Sequence, residues 1–178
     1  GVWRQLHTHD WDASHSFVIS GWNQMNSGIF QATQTIAAAG SNARVAAEAR
    51  FLRAYFMYIV VDLYGSVPFR EATEGVQTTP KVYSRAEATD FIIADLTAAL
   101  PNLPNYQDVD PGVATKDAAN ALLAKVYLNK PVFTATNPAG PYTFAAADMQ
   151  KVIEYADAII NSGRFQLTPY WDNFTSDN

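Results

Sequence analysis

His7-Thr8-His9-Asp10 is the one constellation in this sequence that points to a metal. On an extended segment two histidines at i and i+2 project to one side, and Asp10 or Asp12 adds an oxygen ligand. A hydrolase built on His-x-His needs a parallel barrel behind it, and no strand pattern supplies one. A metal-dependent hydrolase using His7 and His9 is therefore only the third of three functional readings, and neither a catalytic residue nor a metal site is assigned. The same stretch, residues 1–15, holds Trp3 and Trp11. Sugar rings carry C–H faces that pack on flat aromatics, while their hydroxyls seek His, Asp, Asn or Arg. Trp3, His7, His9, Trp11 and Asp12 offer that mixture and form the candidate ligand-binding set. The alternative is that both tryptophans anchor a loop to the helices after it, and residue type alone does not choose between the two.

Other chemistry finds little support. Asp108-Val-Asp110-Pro-Gly112 has the look of a calcium loop but lacks a third acidic position and the closing Glu, so it reads as a polar turn. No Gly-x-Ser-x-Gly elbow, phosphate loop or dinucleotide fingerprint occurs. Nothing supports an enzyme or calls for a cofactor. A net charge of −5 and a pI near 5.0 argue against binding nucleic acid through its phosphates. Hydrophobic residues make up 48% and charged ones 16% of the 178, which argues for a folded chain with a real core. There is no Cys, which excludes disulfides and thiolate-bound metals. The longest apolar run, residues 54–61, is far short of a membrane span.

Five helices must position the aromatic stretch. Residues 16–39 carry Trp22, Met25, Ile29, Ala32 and Ile36 on one face, with Gly40 as the stop and Ser41 as the cap of the next helix. That next helix is the centre of the chain. Val45, Ala49, Leu52, Phe56, Ile59 and Leu63 form a stripe, and from Phe51 onward the other faces are apolar as well. Gly65 and Pro68 end it. Its charges need partners: Arg44 for Glu48, and Asp95 as a candidate for Arg50 or Arg53. Residues 73–83 read as a loop. Ser84 and Glu87 form a capping box for a helix that Pro101 ends. Thr115 caps a fourth that Pro131 ends, and residues 144–162 make a fifth, with Met149, Val152, Ile153, Ala156, Ile159 and Ile160 facing inward. Residues 1–15 show no period and read as a loop. The fold class is all-α, with helices pairing as successive hairpins that resemble tetratricopeptide repeats in an αα superhelix.

The string Ala47-Glu48-Ala49-Arg50-Phe51-Leu52-Arg53-Ala54-Tyr55-Phe56, followed by Leu63-Tyr64-Gly65-Ser66-Val67-Pro68-Phe69, closely resembles the SusD/RagB-like family of surface glycan-binding lipoproteins. Further resemblances run in family order: Trp22-x-x-Met25-Asn26, Ser84-Arg-Ala-Glu87 with Asp95-Leu96, residues 118–128, and Gly163-Arg-Phe-Gln-Leu167. The resemblance implies a helical-repeat scaffold with no enzymatic activity. It implies a glycan ligand, a SusC-like TonB-dependent transporter as partner, and a position on the outer-membrane surface through a lipid anchor. Family members are several times longer, so residues 1–178 are expected to be a single helical domain from the N-terminal half of a longer protein. The family has no strict binding motif, so it assigns no site residue by position. The leading expectation is non-enzymatic binding of an oligosaccharide or polysaccharide and its delivery to the transporter. The runner-up is a helical-repeat scaffold that binds a protein or peptide partner.

Overall fold

Asn42 and Gly65 bracket the helix on which the others pack. The computed structural model describes every residue except 76, 110, 111, 138 and 176–178 and, in addition, the side chain of Asn173. The Asn42 side chain accepts the Val45 N–H at 3.1 Å and opens α3 (Ala43–Tyr64). The cap is thus one residue later than the expected Ser41. Gly65, at φ 86°, donates its N–H to the carbonyls of Val60 and Val61, a backbone conformation that glycine adopts without penalty.

Helix α3 runs between α2 (Ser16–Ala38) and α4 (Arg85–Ala99), and α5 (Lys116–Phe133) also reaches it. Its buried face overlaps the stripe read from the sequence only in part: Ala49 is buried and Val45, Phe56 and Ile59 are half-buried. Ala47, Ala54, Met57, Tyr58, Val60 and Val61 are buried, whereas Leu52, Tyr55 and Leu63 are exposed. Residues 54, 57, 58 and 61 also recur at helical spacing, so a helix apolar on every side carries more than one possible core stripe. The small Ala47 and Ala54 side chains let neighbouring helices approach that face closely. On the α2 side, Gly28 permits another close approach: a Cβ there would lie 2.7 Å from two ring carbons of Phe56.

The charges of α3 find the expected partners. Arg44 Nε donates to Glu48 Oε1 at 2.8 Å. Arg53 holds Asp95 of α4 through two bonds, Nε to Oδ2 at 2.6 Å and a terminal nitrogen to Oδ1 at 2.9 Å. The two side chains are only 8% and 4% exposed. Arg50 adds a third bond to Asp95 at 2.8 Å, and Arg53 also donates to Thr33 of α2. Three helices therefore meet at one fork-shaped ion pair.

Successive hairpins continue with α4 against α5 and α5 against α6 (Ala146–Ile160), giving the all-α, tetratricopeptide-like architecture. The capping box forms as read: Ser84 accepts the Glu87 N–H, and the Glu87 carboxylate accepts the Ser84 N–H at 2.9 Å. Thr115 caps α5 by accepting the Ala118 N–H. Pro131 does not stop α5, which runs on to Phe133. In the last turn its missing N–H removes a single bond, and Thr134 still donates to the Lys130 carbonyl. Helix α6 packs on α5 through a Tyr127–Tyr155 ring contact and a Lys130–Asp148 pair at 2.9 Å. Its expected inward face is split. Met149, Val152, Ala156 and Ile159 are half-buried, while Ile153 and Ile160 are exposed because α5 covers only one side.

Two segments read as irregular are ordered. Within residues 73–83, β2 (Lys81–Tyr83) pairs antiparallel with β1 (Val67–Phe69), with Val67 opposite Tyr83. Three-residue strands are too short to show an alternation. Within residues 1–15 lies α1 (Val2–Thr8), two turns long and equally short of a readable period. Asp110 and Pro111 of the calcium-loop-like turn lie outside the described residues. Its Asp108 closes a 3-10 turn and accepts a bond from Asn105.

Candidate functional site

His15 organises the aromatic N-terminal stretch. It is the N-cap of α2, an uncommon residue there, and its Nδ1 accepts the Phe17 N–H at 3.3 Å. With Nδ1 accepting, the ring proton sits on Nε2, which then donates to the Val2 carbonyl at 3.1 Å. One buried imidazole thus caps α2 and pins the start of α1 across it. That crossing brings Trp3 onto Phe17, ring centroids 4.7 Å apart and tilted by 42°. Trp3 remains 72% exposed and Phe17 is exposed beside it.

Helix α1 ends at His9, a non-glycine residue in the left-handed region at φ 58°. The reversal sets the His9 ring 5.2 Å from Trp11, itself 44% exposed. Asp12 follows. Its Oδ1 accepts both the Ser14 hydroxyl at 2.6 Å and the Ser14 N–H at 2.8 Å. Those two bonds, the hydroxyl first, hold the Asp12 carboxyl below its ordinary range. Asp12 therefore shapes the turn into α2.

The five predicted residues are exposed in one short segment, but they do not form a single cluster. Trp3 pairs with Phe17 and Trp11 with His9, as two separate ring contacts. His7 sits in the last turn of α1 and His9 just beyond it, so the extended His-x-His geometry assumed for a metal is not formed. Among the described residues no group of three or more His, Cys, Asp or Glu is arranged to hold a metal. Alongside lies an apolar hollow of about 290 Å³, lined by Ala13, Val18, Ile19, Trp22 and Tyr64. Together these features make an aromatic surface flanked by hydrogen-bonding side chains.

Sequence reasoning missed Phe17 and His15. Phe17 had a signal: it lies off the Trp22/Met25/Ile29 face and so had no core role to fill. His15 had none, because histidine is not a usual cap. Exposed aromatics also gather at a 3-10 turn, Tyr170–Phe174, where Tyr170 contacts both Trp171 and Phe174. A larger hollow, about 840 Å³ between α2 and α3, includes Gln24, Gln31, Glu48, Leu52 and Phe56 but none of the predicted site residues.

Successive helical hairpins packed on one another define a helical-repeat protein. The chain belongs to the SusD-like family: the family model described as starch-binding associating with outer membrane matches residues 1–128. A SusD-like protein of Bacteroides ovatus is 31% identical over 171 residues, 94% of this chain and 30% of that protein. The starch-binding protein SusD of Bacteroides thetaiotaomicron is 30% identical over 135 residues, 76% of this chain and 22% of its own length. A crystal structure described as containing xylogluco-oligosaccharide superposes with a TM-score of 0.83 at 28% identity, over 98% of this chain and 36% of that one. The chain thus spans about a third or less of the length of these relatives.

Proposed function

We propose that this chain is part of the glycan-binding surface of a SusD-like protein and holds a neutral oligosaccharide without turning it over. The observation that carries the reading is the likeness, over 98% of the chain, to a structure described with xylogluco-oligosaccharide. The exposed Trp3–Phe17 and His9–Trp11 pairs support it chemically. Each offers a flat apolar face for a sugar ring, with His7, His9 and Asp12 near enough in sequence to meet its hydroxyls. In this reading the protein sits at the outer-membrane surface, lipid-anchored, and passes its ligand to a SusC-like TonB-dependent transporter. Among the described residues no helix is long and apolar enough to cross a membrane.

A second reading, contact with a protein partner, is favoured by the exposed Leu52 and Leu63 of α3 and the exposed Ile153 and Ile160 of α6. The transporter itself would satisfy it, so the two roles are compatible. A glycan array followed by calorimetry tests the first reading. Saturable binding of an oligosaccharide whose chain length stays unchanged is expected. Shortening of the sugar, or binding of none, would overturn it.

A further inference from the structure

A second hollow, about 250 Å³, lies between α2 and the β1–β2 ribbon and is lined by Asn26, Ile29, Phe30, Pro68, Phe69, Arg70 and Pro80. Asn26 follows Phe17 by nine residues, which on a helix is about 13 Å along the axis and half a turn around it, so this hollow is on the other side of α2 from the Trp3–Phe17 pair. Two of its lining residues carry buried polar atoms without a hydrogen-bond partner: Asn26 Oδ1, an acceptor, and Arg70 Nε, a donor. Both side chains are held by their remaining groups. The Asn26 amide nitrogen donates to the Trp22 carbonyl at 2.8 Å, and an Arg70 terminal nitrogen donates to the Thr78 carbonyl.

We infer that this hollow is a separate binding site for a single neutral sugar residue, an assignment that rests on the glycan-binding reading for its choice of ligand class. A hydroxyl is donor and acceptor at once, so it matches in kind both the unfilled acceptor of Asn26 and the unfilled donor of Arg70. A carboxylate cannot donate to the first, and an ammonium cannot accept from the second. The rest of the lining is apolar, with the rings of Phe30, Pro68 and Pro80 suited to the C–H face of a pyranose. The hollow is several times larger than one water requires.

Two-dimensional ¹⁵N NMR follows the Arg70 Nε–H and the Asn26 side-chain amide directly, with D-glucose, D-xylose and N-methylacetamide as probes. The Arg70 and Asn26 signals are expected to move together along one saturation curve with a sugar. Arg70→Lys keeps a cation for the Thr78 carbonyl but deletes the Nε donor, and should weaken that curve about tenfold. Trp11→Ala should leave it unchanged. If the sugars shift only the Trp3 and Trp11 indole signals, this site is wrong and the N-terminal surface stands. If they shift Arg70 and Asn26 but not the indoles, this site stands and the N-terminal surface falls. A response of Arg70 and Asn26 to N-methylacetamide alone would reassign the hollow to a peptide group and overturn the inference. So would a direct Arg70–Asn26 bond in the unliganded protein with no response to sugar.

Discussion

Asp12 shows how a side chain can be exposed and still carry a structural role. Its carboxylate accepts two bonds from Ser14, and these favour the charged form. A carboxyl depressed in the folded state contributes stability that is fully present above its unfolded pKa and lost as pH falls through the lower folded value. A carboxyl-carbon NMR titration should therefore give Asp12 a midpoint below the ordinary aspartate value, and Ser14→Ala should return it toward that value. A wild-type midpoint at the ordinary value would show that the turn is not formed in solution. The sequence made Trp3, Trp11 and their polar neighbours legible as candidates because no helical period claimed them. It could not show that Trp3 leans on Phe17 while Trp11 meets His9. That division depends on α1 folding back across α2, which in turn depends on His15 bonding in two directions.

At the scale of the elements, α2 through α6 were legible because each has a cap, a stop or a clear period, and the need of a charge on α3 for a partner, with Asp95 as a candidate, followed from the cost of burying it. Helix α1 and the β1–β2 ribbon were not legible, since two turns and three residues are shorter than the patterns that reveal them. The buried face of α3 was ambiguous for the opposite reason, an excess of apolar residues. The Arg53–Asp95 pair should dominate the α3–α4 joint. Arg53→Ala leaves a buried carboxylate with Arg50 as its remaining partner, and should destabilise by about 3 kcal/mol in urea unfolding. Arg50→Ala, at a partly exposed position, should cost about 1 kcal/mol or less. Equal, small losses from both would mean that the pair is solvated. Gly28→Ala sets two effects against each other. Alanine gains about 1 kcal/mol in helix propensity, while a Cβ 2.7 Å from the Phe56 ring forces a shift costing about 1–3 kcal/mol. Net destabilisation is expected, relieved when Phe56→Leu is added. A stabilised Gly28→Ala single variant would mean a looser α2–α3 contact.

On the scale of the whole molecule, the chain combines a well-formed helical core with several large apolar side chains on its exterior. Trp3, Leu63, Ile160, Leu167 and Trp171 are all among its exposed side chains. The aromatic ones near the N-terminus are the part that the sugar-binding proposal uses. The central claim is that Trp11 and Trp3 act as sugar platforms and not as anchors of the fold. Exposure favours this most clearly for Trp3, because truncating a side chain that is largely in solvent removes little buried area, while Trp11 is 44% exposed. Calorimetry with a xylogluco-oligosaccharide, run alongside thermal melts on wild type, Trp3→Ala and Trp11→Ala, tests it most directly. The account predicts a loss of affinity of about tenfold or more for Trp11→Ala and a clear loss for Trp3→Ala, with melting temperatures nearly unchanged. Unchanged affinity together with a lowered melting temperature would contradict it.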